Sequence, residues 1–160
     1  MAGRSGDSQD DLDRNLAFLA YGLMFFAFFF AGAPALIAVA IAYGRRNIAE
    51  PLVRRHHAYQ ITVFWIGFGL AVLSAVMGLG AVVIGFAAAF KVLTDKDPSA
   101  NLDAFFSEVY KESVSNHAIP ILLISAFVFL ITTGLWLVGA SGYGFFRLAS
   151  NKPVGQSSPS

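Results

Sequence analysis

The chain has 160 residues, enough for one domain, and its 56% hydrophobic and 13% charged residues depart in opposite directions from soluble averages. A net charge of +1 gives no electrostatic footing for nucleic acid. With no cysteine, disulfides, thiolate chemistry and cysteine-held metals are excluded.

What decides the class is where charge is missing. Residues 16–43, 58–90 and 118–146, windows of 28, 33 and 29 residues, contain no Asp, Glu, Lys or Arg. A spanning helix needs about 20 apolar residues, and one central Arg or Asp would cost roughly 2.5–3.5 kcal/mol. A soluble domain of this size could not hide three such segments from water. Backbone groups in lipid must be bonded within a helix or a closed barrel, and barrel strands would alternate in polarity. The sequence therefore predicts an all-α membrane protein with three transmembrane helices, about 16–43, 58–90 and 118–146, in one multi-pass domain over 16–147.

Taken in chain order, residues 1–15 are polar and rich in Gly and Ser, and read as a disordered tail. Asp7, Asp10, Asp11 and Asp13 against Arg4 and Arg14 make a poor signal-peptide leader, so the first apolar segment reads as a retained helix. Pro34 within it predicts a kink, and Tyr43 suits the membrane interface. The first loop carries Arg45, Arg46, Arg54 and Arg55. Pro51 fits a first helical turn, but a helix unbroken from there to Phe90 would be about 60 Å long. Tilt, an interfacial start or a break near Gly78-Leu79-Gly80 must absorb that excess. Between the second and third segments Leu102, Phe105, Phe106, Val109 and Tyr110 recur at i, i+3, i+4, i+7 and i+8. That spacing predicts a short amphipathic surface helix. The third segment begins near Asn116 and closes at Phe145-Phe146-Arg147, and residues 148–160 read as a second disordered tail. Four arginines within 44–56, against three lysines spread over 91–117, place the first loop and the C-terminus in the cytoplasm. The N-terminus and second loop are then expected on the other side.

Few residues carry chemistry. His56 and Gln60 stand four apart on one helical face at the membrane edge. With Arg54, Arg55 and Trp65 they form the candidate interaction site. Two readings stay open: contact with a head group, substrate or partner helix, or a hydrogen bond between helices of this chain. Adjacent His56 and His57 diverge and no acidic cluster joins them, so no metal site is expected. Small residues at intervals of four (Ala27, Ala31 and Ala35; Gly67, Ala71 and Ala75; Gly134 and Gly142) predict close helix packing. Without an intramembrane charge or a catalytic motif, no enzyme and no cofactor are expected.

The run Ala35-Leu36-Ile37-Ala38-Val39-Ala40-Ile41-Ala42-Tyr43, then Pro51-Leu52-Val53-Arg54 and His56-x-x-x-Gln60-Ile61, resembles a family of small bacterial inner-membrane proteins of unknown function. That family is distantly similar to the Tic translocon component of the chloroplast envelope. Its members often carry Asn where Ala58 stands here, and have less sequence between the last two spans. The resemblance implies a multi-pass protein of the bacterial inner (cytoplasmic) membrane and no established activity.

The functional expectation is a non-catalytic packing or accessory module of a membrane assembly or transport complex. Its partners would be the lipid bilayer and either itself or another membrane protein. The alternative is a small homo-oligomeric channel. For topology, Ser99→Cys is expected to react with an impermeant thiol reagent in intact cells and Asn47→Cys is not. Reversed labelling would overturn the assigned orientation.

Overall fold

The computed structural model describes residues 4–95, 102–115 and 117–154. These are almost entirely helical: α1 (Arg4–Phe26), a 3-10 turn (Ala27–Phe30), α2 (Ala33–Arg45), α3 (Pro51–Asp95), α4 (Leu102–Ser115) and α5 (Ala118–Ala149). Three segments are long and apolar enough to cross a membrane: Ser8–Phe30, Pro51–Thr94 and Ala118–Ala149. The chain divides into two compact units, Met1–Gly69 with Thr133–Ser160, and Leu70–Thr132.

The expected single helix over 16–43 is two helices. Pro34 does not kink a continuous rod but stands in the first turn of α2, where its missing N–H is no loss. Immediately before it, Ala31 (φ 51°) and Gly32 (φ 83°) enter the left-handed region. Gly32 does so freely, whereas for Ala31 it costs roughly 1–2 kcal/mol. The chain reverses there, and α2 packs back along α1.

This reversal corrects two further expectations. The guanidinium of Arg45, in the last turn of α2, donates to Asp13 Oδ1 through Nε at 2.5 Å and forms an ion pair with it. Asp13 is buried, and α1 begins well before it, so residues 4–15 are helix rather than disordered tail. The start of α1, expected across the membrane from the first loop, lies at the same end of its unit as that loop. At the other terminus, residues 148–154 cap α5 instead of fraying. Asn151 turns left-handed at φ 52°, Lys152 N donates to Arg147 O at 2.9 Å, and Arg147 holds Pro153 O through Nε and Nη2. An Asn followed by Pro beyond the last turn suits this cap. The disorder expected for residues 1–3 and 155–160, and a third-helix start at Asn116, lie outside the described residues.

The first unit is built on periodic buried stripes in which small residues alternate with larger ones. Positions 17, 20, 21, 24 and 27 of the first segment, 35, 38, 39 and 42 of α2, and 134, 137, 140, 141, 144 and 148 of α5 are buried. An added Cβ would lie 2.9 Å from Leu137 Cδ2 at Gly67, and 2.8 Å from the Phe28 ring at Gly134. The predicted close approach is thus realised at Gly67 and Gly134, while Ala31 sits exposed in the turn.

In the second unit α3, a helix of 45 residues in all, runs without a break past Gly78 and Gly80. Ser74 Oγ donates to Ala126 O at 2.8 Å, and Leu122 packs over Gly80. Lys91 Nζ meets Glu112 Oε1 of α4 at 2.7 Å. Phe106, Tyr110 and Val114, at intervals of four on α4, are exposed.

Asp13→Ala leaves the Arg45 guanidinium without its carboxylate. With Arg45 about one-fifth exposed, the expected loss is roughly 2–4 kcal/mol, at or below the range for fully buried pairs. Chemical unfolding in detergent micelles followed by circular dichroism measures it. The swap Asp13→Arg with Arg45→Asp should recover part of the loss, and no recovery would mean that the pair is incidental.

Candidate functional site

The most polar part of the interior lies where the first turns of α3 meet α1 and the cap of α5. On the part of α3 in the first unit the buried positions are 53, 56, 57, 60, 63, 64 and 67, one helical face that begins polar and turns apolar. His56, His57 and Gln60 are fully buried. A buried polar group without a partner costs about 1–3 kcal/mol, so where each atom bonds decides what the site can do.

His56 is bonded at both nitrogens. Nε2 lies 3.1 Å from Lys152 O, and Nδ1 2.9 Å from the Tyr21 hydroxyl. A carbonyl can only accept, so Nε2 carries a proton and donates it to Lys152. In the neutral ring Nδ1 then accepts the Tyr21 O–H. The Tyr21 ring itself lies against Gly144, where an added Cβ would come within 2.6 Å of its hydroxyl.

A second chain of bonds runs beside the first. His57 Nδ1 donates to Gln60 Oε1 at 3.0 Å, and Gln60 Nε2 donates to Ala17 O at 2.9 Å. Both contacts agree with one orientation of the amide. His57 Nε2 is left without a partner, as is the buried Ser141 hydroxyl. Lower on the same helices Trp136 Nε1 donates to Val63 O at 3.1 Å, and the Tyr59 hydroxyl to Ala140 O at 3.4 Å.

The five residues expected at an interaction site therefore separate. His56 and Gln60, expected on an accessible edge, are buried and bound to other parts of this chain. Arg54 and Arg55 are exposed. Trp65 is 54% exposed, its indole N–H donating to the Tyr43 hydroxyl at 3.0 Å, and Arg46 stands over that Tyr43 ring at 5.1 Å. Sequence reasoning missed Asp13, Tyr21, Gly144 and the Lys152 carbonyl. Asp13 heads the stripe 13, 17, 20, 21, 24 and 27, a spacing the sequence displays. The Lys152 carbonyl has no side-chain signal.

An apolar groove of about 280 Å³ opens between α1 and α5, lined by Tyr21, Gly22, Phe25, Ser141, Gly142 and Phe145 among others. A Cβ at Gly22 or Gly142 would meet nothing within 4 Å. Among the described residues no three His, Cys, Asp or Glu side chains come together as metal ligands.

Tyr21→Phe removes the donor to His56 Nδ1 and should cost about 1–3 kcal/mol. Gly144→Ala forces the Tyr21 ring aside and should cost a comparable 1–3 kcal/mol through overpacking. Both losses are read from unfolding midpoints in micelles. Because each variant breaks the same contact, the double variant should lose less than the sum, and strict additivity would show that they act separately.

Comparison with protein-family models, with curated proteins and with solved structures finds no match for the chain in any of the three.

Proposed function

We propose that this chain is a non-catalytic accessory module of the bacterial inner membrane that packs with a larger membrane assembly or transport complex. One observation carries the reading. Asp13, His56 and Gln60, polar side chains grouped at one end of the first unit, are each bonded to another element of the chain, and His57 is bonded to Gln60 within α3. Such a cluster locks helices together. Facing outward are long apolar helix surfaces and, beside the first loop, the exposed Arg46, Arg54, Arg55 and Trp65, with Glu50 among them. Three helices of spanning length support membrane insertion.

The positive-inside rule puts the arginine group in the cytoplasm, where it would meet a carboxylate-bearing partner or anionic head groups. In this reading α4 lies on the opposite membrane surface, with Phe106, Tyr110 and Val114 turned to the lipid.

The test is purification in mild detergent, with a second membrane protein expected to co-elute at fixed stoichiometry. The double variant Arg54→Glu, Arg55→Glu should release that protein while leaving the unfolding midpoint unchanged, since both side chains are exposed. A homo-oligomer that co-elutes with nothing and carries solute flux in liposomes would overturn the reading in favour of a channel.

A further inference from the structure

In the helical hairpin of the first unit the returning arm is shorter than a membrane is thick. From Ala33 to Arg45, α2 has 13 residues, about 20 Å at 1.5 Å per residue. The opposing arm, counted from Asp13 to Phe30, covers about 29 Å with its 3-10 turn included, and it is the returning arm that sets how deep the hairpin reaches. A hydrocarbon core measures about 30 Å. The arms start from one level, because the Asp13–Arg45 ion pair joins their outer ends and Gln60 of α3 bonds Ala17 just inside them.

Where the hairpin stops can be located on α5. The Phe28 ring at its tip packs on Gly134, with Cδ2 2.8 Å from where a Cβ would stand. The uncharged window of α5 runs over 118–146, so Gly134 lies two residues from its middle. A helix that crosses a bilayer places the middle of such a window near the bilayer centre.

The chemistry of the tip agrees with that depth. Residues 22–42 contain no polar side chain, so the reversal lacks the Asn, Asp and Ser that turns in water favour. It is closed by bonds within its own backbone instead. The Ala31 and Gly32 N–H groups both donate to Ala27 O, and Ala35 N donates to Gly32 O at 3.0 Å. Pro34 has no N–H to satisfy. Self-satisfied backbone is the condition for a turn in lipid. Phe26, Phe29 and Phe30 are 54%, 67% and 63% exposed. At the base, by contrast, Arg46, Arg54 and Arg55 are exposed, and the hydrogen-bonded Tyr43 and Trp65 suit the interface.

We propose that the α1–α2 hairpin is re-entrant: it enters the bilayer from the face bearing Arg46, Arg54 and Arg55, returns to that face, and sets its phenylalanine tip among acyl chains near the bilayer centre. The arginines complement anionic head groups on the side of entry, and the occupant of the aromatic surface is lipid. This rests on the membrane reading above and goes beyond it. Of the three apolar helices, α3 and α5 then cross and α1 does not.

The native absence of cysteine allows a direct test in the full chain, in right-side-out and inverted vesicles. Single variants Phe30→Cys and Phe29→Cys probe the tip, with Asn47→Cys and Ser99→Cys as controls. An impermeant maleimide should modify Asn47→Cys from one face only and Ser99→Cys from the other. The tip cysteines should be silent from both faces and become reactive once detergent dissolves the membrane. A spin label at the tip should collide freely with oxygen and not with a water-soluble nickel complex. Modification of the tip from the Ser99 face means a hairpin that crosses fully, and modification from the Asn47 face means a tip in water. Either result overturns the proposal. Failure of the membrane reading is seen separately, as both controls reacting from one face and release of the protein by alkaline carbonate.

Discussion

The imidazole of His56 is the tie on which the first unit depends. It belongs to α3, yet its nitrogens bond Tyr21 of α1 and the backbone beyond α5. In the neutral ring only the Nε2–H tautomer satisfies both bonds. With the ring fully buried, losing either partner leaves an unpaired group in apolar surroundings, which the folded chain tolerates poorly. The neighbouring packing follows from that tie. Tyr21 reaches His56 only because Gly144 has no side chain to hold the phenol away, and α1 comes close because Ala17 and Ala20 are small. The parallel bond from Gln60 to Ala17 and the Asp13–Arg45 pair fix the same approach from two other directions. Shape and polarity are coupled here, since the small residues allow the contacts that the polar residues require.

The spanning helices were legible because insertion length is a property of consecutive residues. A charge-free window reports it directly, and three windows correspond to three helices long and apolar enough to cross. The reversal at Ala31 and Gly32 was not legible for a related reason. Turns announce themselves in soluble proteins by polar residues that bond their own backbone or water. This turn closes with backbone bonds alone, so hydropathy passes through it unchanged. Pro34 was noticed, but proline inside a long apolar run has two meanings, a kink or a first turn. Only the packing of α2 on α1 separates them.

The site was half legible for a different reason. The spacing of His56 and Gln60 defines a shared helical face, as found, and their neighbours Arg54 and Arg55 fall on the exposed side. Whether that face looks inward or outward depends on what stands opposite. Here those partners are Tyr21, 35 residues earlier, and Lys152, 96 residues later. Asp13 shows the same limit. Of the four aspartates before the first apolar run, only Asp13 falls on the stripe 17, 20, 21, 24 and 27, but nothing local shows that it meets an arginine 32 residues away. The cap of α5 differs, since Asn151 and Pro153 are local signals of an ordered stop.

The bond from His56 to Lys152 also sets an order in time. A ribosome adds about 5–20 residues each second, so roughly 5–20 seconds separate the synthesis of the ring from that of the carbonyl that completes its bonding. Throughout that interval the donor on Nε2 must bond to water, to a head group or to another protein. This bond of the first unit can therefore form only after the last helix has been made. A nascent chain stalled before residue 152 would present His56 to whatever machinery attends its insertion.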